Sequence, residues 1–310
     1  MTAVLPNILS SVLPVLLFLV SGYGLGKVVP KPRVTALVKW ITPVVWSILF
    51  VIGLKSGEAF SSLAAGWEIL KYAALYAFSI SAIVFALILP LNRQSAAEKV
   101  AFSSWSTLLQ PLKACLSALG LVLLGAFFYR LQWHNNPVGD VVFNMTYWLY
   151  ILLLLIGMDL AQVTISRVWL APRVLLLPFL VMLGSMFAGV LISLLTGEKM
   201  AIALALSTGF GWFSLSGALA GQYLGDAYAS VALLTDLMRE LIGLTVVFLL
   251  GGQYAKSSIG VCGATAMDTT LPFIRQACHY QYVPTAIISG LILTVSAPFF
   301  MLFFLNLATV

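Results

Sequence analysis

The sequence predicts an all-α polytopic membrane protein. About eight transmembrane helices plus two opposed re-entrant or broken segments form an inverted-repeat secondary transporter, with ten spans as the alternative count. Three observations predict it. Hydrophobic residues fill 61% of the 310 positions and charged ones only 8%, against roughly 25% charged in soluble domains. Apolar runs of bilayer length recur between short basic loops. Two further apolar stretches, 199–222 and 257–280, are too rich in Gly, Ser and Thr for ordinary helices. A chain with a mean hydropathy of +1.05 cannot screen its surface from water. No long polar linker divides it, so residues 1–310 read as one transporter domain.

A bilayer core needs about 20 apolar residues per helix. Runs near 6–26, 38–56, 68–90, 106–130, 140–161 and 171–196 meet this, followed by 228–251 and 283–307. The first run lacks the positive start, short core and cleavage site of a signal peptide, so it reads as a retained helix.

Orientation follows from the bases. Lys27, Lys31, Arg33 and Lys39 crowd the loop after the first span, which places that loop in the cytoplasm and the N-terminus outside. Alternation puts Arg93, Lys99, Arg167 and Arg173 inside too, while Lys55, Lys71, Arg130 and Lys199 fall outside, mostly beside acids. Trp40, Trp67, Trp105, Trp133 and Trp169 recur at span boundaries as interfacial anchors. If the two odd segments dip in and return, Lys256 is cytoplasmic and the inside count of bases is higher by one than if they cross. Eight spans are therefore preferred. Both versions leave the C-terminus outside.

An internal repeat supports a transporter. VVWSILFVIGLKSG (44–57) aligns with WLYILLLLIGMDLA (148–161), Gly53 over Gly157, and LFLVSGYGLG (17–26) aligns more weakly with LVLLGAFFYR (121–130). The copies lie three spans apart and so point oppositely: an inverted repeat of about 6–90 and 106–196. Such folds place broken backbone near the bilayer midplane, where solutes bind.

Irregular backbone at membrane depth survives only against protein or a water-filled cavity. STGFGWFSLSGALAG (207–221) supplies Gly209, Gly211, Trp212, Ser214 and Ser216, with Gly217 and Gly221 spaced as helix-packing glycines would be. In the next span, TDLMRELIGL sets Asp236, Arg239 and Glu240 on one helical face. Buried ionisable groups are costly, so the trio should pair and face the interior, as a structural cluster or as part of an ion path. The second segment, GVCGATAMDTTLPFIR (260–275), carries Gly263, Thr265, Asp268, Thr269 and Thr270 ahead of Pro272. Asp268 has no base in its own segment until Arg275, so it reads as a substrate or proton ligand. A helix cap is the plainer alternative.

The basic balance, with its charges in loops, does not imply nucleic acid. Cys115, Cys262 and Cys278 form no CxxC pair, and the sequence contains no metal or cofactor motif. An intramembrane aspartyl protease fits poorly: YLGD (223–226) has Tyr where that motif needs Gly. His134 and His279 fall near surfaces, away from any serine at depth. The chain reads as no enzyme.

GFGWFSLSG (209–217), DLMRELIGL (236–244) and CGATAMDTTLP (262–272) together resemble the LysO family of lysine exporters of bacterial inner membranes. The resemblance implies export of L-lysine, or a similar cationic amino acid such as thialysine, with essential intramembrane acids. Moving a cation outward against an inside-negative potential is unfavourable, and proton antiport, with protons as the coupling ion, would offset that cost. Asp268 matches one such acid. The resemblance also implies a second in the N-terminal half, for which Glu58 in LKSGE is the candidate, beside an awkward Lys55. The alternative is a cation/proton antiporter or other small-solute carrier of similar fold. Membrane lipid is the surrounding partner, and the sequence permits a homo-oligomer.

Overall fold

The computed structural model describes residues 4–57, 63–92, 105–130, 144–162, 172–278 and 280–309, and the regular structure among them is helical. Glu58, the loop bases Arg93, Lys99 and Arg167, and both histidines lie outside the described residues. The first half consists of α1 (Val4–Val28), α2 (Lys31–Val38), α3 (Ile41–Ser56), α4 (Leu63–Ile88), α5 (Trp105–Arg130), α6 (Met145–Leu160) and α7 (Pro172–Thr196). The second half consists of α8 (Met200–Ser207), α9 (Phe213–Leu224), α10 (Asp226–Leu250), α11 (Ala255–Cys262), α12 (Leu271–Ala277) and α13 (Val283–Ala308).

Four helical stretches, 31–55, 66–92, 174–196 and 283–308, are long and apolar enough to cross a bilayer, and 13–28, 116–129 and 145–160 are shorter apolar helices. The 25-residue α10 carries Asp226, Asp236, Arg239 and Glu240. Leu123, Phe187, Leu194 and Leu249 project outward without cover, which suits lipid rather than water. One expectation needs correcting. The basic stretch after the first span is not all loop, because Lys31–Val38 is helical and runs almost into α3. Its proline in the first turn has a pre-set φ suited to a helix start, and Val34 is fully buried beneath it.

Small residues bring the long helices together. α1 packs along α6, where Gly22 faces the Leu154 backbone and Gly157 faces Leu19. α3 packs along α5, where Gly53 faces the Val122 backbone and Gly125 faces Phe50. α4 lies against α7, with α8 against α7 and α11 against α4. α10 and α13 each flank both a long helix and a short one: α10 touches α4 and α11, and α13 touches α7 and α8.

The two broken segments return to where they start. The Tyr228 hydroxyl, in the first turn of α10, donates to Glu198 Oε2 at 3.0 Å, just ahead of α8. A straight helical path from 200 to 224 would separate its ends by roughly 37 Å at 1.5 Å per residue. At the opposite end of α10, Gly251 sits against the Cys278 sulfur and Phe248 packs edge-on against Phe273 at 5.7 Å. The segment 255–277 is therefore also folded back. Its start is tied to the end of α4: Lys256 Nζ donates to the Leu91 carbonyl (3.1 Å), and Asn92 Nδ2 donates to Ser257 Oγ (2.8 Å).

Candidate substrate site

The first segment turns at Thr208–Trp212, between α8 and α9. Phe210 has φ +53° and Gly211 φ +94°, left-handed backbone that is costly for a residue with a side chain. Two contacts hold it there. The Gly211 N–H donates to Asp236 Oδ1 at 3.0 Å, and the Ser216 hydroxyl donates to Asp236 Oδ2. Gly209 is required by closeness, since a Cβ would strike Ser216 Oγ and the Asp236 carboxylate.

The second segment unwinds after α11 into a 3-10 turn, Gly263–Met267, and restarts at α12 with Pro272 in its first turn. The Thr265 carbonyl accepts from Asp268 N (3.1 Å), Thr270 N (3.1 Å) and the Thr270 hydroxyl (2.9 Å). The two tips meet backbone to backbone, Ala264 N–H donating to the Phe210 carbonyl at 2.8 Å. Gly263 permits this: its φ is +66°, and a Cβ would meet the Phe210 oxygen.

The trio on α10 does face the interior, as its spacing predicted, and each member is nearly or fully buried. It does not form ion pairs. Among the described residues the ion pair within 4.0 Å is Lys71–Glu68. Asp236 is instead occupied by the first tip. Arg239 Nε donates to the Val261 carbonyl at 3.3 Å, while Nη1 and Nη2 have no hydrogen-bond partner among the described residues. Glu240 lies across from Thr269. From one helix, then, Asp236 grips the first break and Arg239 the end of α11 that leads into the second.

A cavity of about 570 Å³ lies beside the joined tips. Six residues singled out from sequence line it: Gly211, Trp212, Ser214, Thr265, Asp268 and Thr269. Gly209, Ser216, Asp236, Arg239, Glu240, Gly263 and Thr270 stand behind that wall as its support. Asp268 is exposed to the cavity. Its Oδ1 accepts from the Thr269 N–H and, at 3.4 Å, the Thr269 hydroxyl. Val38, Asp159 and Leu160 also line it. They lie on the side that carries Lys27 and Lys39, since Thr35 Oγ1 there donates to Gln162 Oε1 at 3.3 Å.

Asp159 is the residue that sequence reasoning passed over. It stands in the last turn of α6, where a span end carries acids unremarkably. The fold turns it into the cavity, where Asp159 and Asp268 are the ionisable groups among the described lining residues.

Comparison with known proteins adds the family context. Residues 119–305 match the family described as lysine exporter LysO. The chain is 29% identical over 311 residues to the lysine exporter LysO of Escherichia coli, covering 95% of this chain and 99% of that one. It is 31% identical over 175 residues to a Haemophilus influenzae protein named "Putative lysine exporter", covering 56% of this chain and 88% of that one.

Proposed function

The chain belongs to the LysO family of lysine exporters, and on that premise we propose that it carries L-lysine, and analogues such as thialysine, outward across the bacterial inner membrane by proton antiport. One observation carries the reading. Asp268 is an acid in a backbone break, open to a cavity whose described lining holds no base. An acid at depth without a cation is expensive unless it meets one in function.

Each part of the substrate has a counterpart in the cavity. Asp268 takes an ammonium group, assisted by the Thr265 and Thr269 side chains that share its wall. The first-turn N–H groups of α9, which have no intrahelical partners, face the same space at Ser214 and suit a carboxylate. Moving one positive charge outward against an inside-negative potential costs about 2.3 kcal/mol per 100 mV. An inward proton offsets this, and a carboxylate that exchanges proton for ammonium is sufficient to couple the two.

The same reading covers topology. The termini face the periplasm, and eight spans frame two opposed re-entrant segments. Supporting it, Glu198 meets Tyr228 on one side of the bundle, while Lys256 meets Leu91 and Gly251 meets Cys278 on the other. The packing also supports the inverted repeat. Exchanging α1 with α5 and α3 with α6 turns the α1–α6 contact into α5–α3, and exchanging α4 with α7 and α8 with α11 turns α7–α8 into α4–α11. With the basic side cytoplasmic, the Asp159 end of the cavity lies toward the cytoplasm, the side from which an exporter loads.

The test is efflux of labelled lysine from proteoliposomes under an imposed pH gradient, with sodium gradients as the comparison. Lysine movement driven by protons and accompanied by proton flux is expected. Sodium flux without lysine movement would overturn the reading in favour of a cation antiporter.

A further inference from the structure

Resting on that reading, we propose that Asp159 is the specificity-determining residue of the site: it receives the second ammonium group of the substrate and so selects amino acids with two ammonium groups over those with one. Two acids line the cavity, Asp268 at the tips and Asp159 in the last turn of α6, together with aliphatic wall from Val45, Leu152 and Ile156. Among the described residues, the Asp159 side chain has neither a hydrogen-bond partner nor a cation within 4.0 Å. It is half-buried, so its carboxylate is partly removed from water without a compensating charge.

A single-ammonium amino acid satisfies Asp268 and leaves Asp159 unpaired. A diamino acid satisfies both, its methylene chain lying on the aliphatic wall between them. Discrimination follows because a site built for a polar group penalises the analogue that lacks it. The α-ammonium and carboxylate are read together at the tips, where Asp268 and the α9 N-terminus adjoin. The side-chain ammonium therefore falls to Asp159.

The experiment compares lysine with norleucine, which keeps the carbon chain and lacks the terminal nitrogen, in proteoliposomes of the full chain. Wild-type protein should transport lysine and not norleucine. Asp159→Asn should raise the KM for lysine about tenfold or more and reduce the preference over norleucine by a similar factor, while Asp159→Glu should keep the preference. In wild-type protein, lysine should protect Asp159 from modification by a carbodiimide, read by mass spectrometry, and norleucine should not. That measurement serves if Asp159→Asn fails to insert. An Asp159→Asn protein with wild-type KM and preference, or lysine protecting Asp268 but not Asp159, would overturn this inference and leave the proposed function standing. Absence of lysine transport by wild-type protein would overturn both.

Discussion

The two broken segments share a composition and differ in what their acids do. At the first tip, Asp236 reaches in from α10 and both its oxygens are occupied, by the Gly211 N–H and the Ser216 hydroxyl. At the second, Asp268 belongs to the break itself, with one oxygen held by Thr269 and the residue lining the cavity. The difference is one of setting: a buried acid with both oxygens hydrogen-bonded shapes backbone, whereas the acid that lines the cavity is the one proposed to meet a ligand.

The largest expected effect tests the open acid. Asp268→Asn keeps shape but loses charge and titration, so lysine efflux should fall by about a hundredfold or more, on the scale of removing a key charged group. Insertion and thermal stability in detergent should match wild type. Asp268→Glu should retain partial activity. An Asn variant that exports at the wild-type rate would reduce Asp268 to a cap and erase the contrast between the segments.

Next comes the closed acid. Asp236→Ala strands the Gly211 N–H and leaves Arg239 more isolated in a dry interior, which should cost about 3–5 kcal/mol of stability. Arg239→Met alone should damage folding more than Arg239→Met combined with Asp236→Asn, because the single change leaves the acid without any nearby cation. Fluorescence-detected thermal unfolding reads both. Equal stability of the single and double variants would show that the two charges do not interact.

Gly263→Ala should be smaller, about 1–3 kcal/mol for a side chain at φ +66°. It should also weaken transport, because the added Cβ meets the Phe210 oxygen and pushes the tips apart. Unchanged thermal unfolding and efflux would mean that the tips separate freely. The smallest effect concerns the fastening of the first segment. Tyr228→Phe removes one partly buried hydrogen bond to Glu198, worth about 1 kcal/mol, and should lower the unfolding temperature slightly with near-normal efflux. A loss of transport as large as that of Asp268→Asn would give this end of the segment a role in the cycle.

The sequence by itself determined which parts of the chain are long helices and where the backbone breaks. Run length and hydropathy locate spans because a bilayer imposes a length, and Gly, Ser and Thr clusters locate breaks because glycine permits the positive φ at Gly211 and the close approach at Gly263. It also picked out Asp268, since an acid without a base in an apolar segment stands out in one dimension. Tertiary structure alone decided the rest. That Asp236 holds a tip 25 residues upstream rather than pairing with Arg239 depends on how α10 packs against α9, which no helical spacing encodes. That Lys256 sits beside Leu91 depends on a segment folding back on itself. Asp159 was the least legible, because the last turn of a helix looks like surface until neighbouring helices enclose it. A carboxylate's role follows from which partners reach its oxygens, and that is set by packing between elements far apart in the chain.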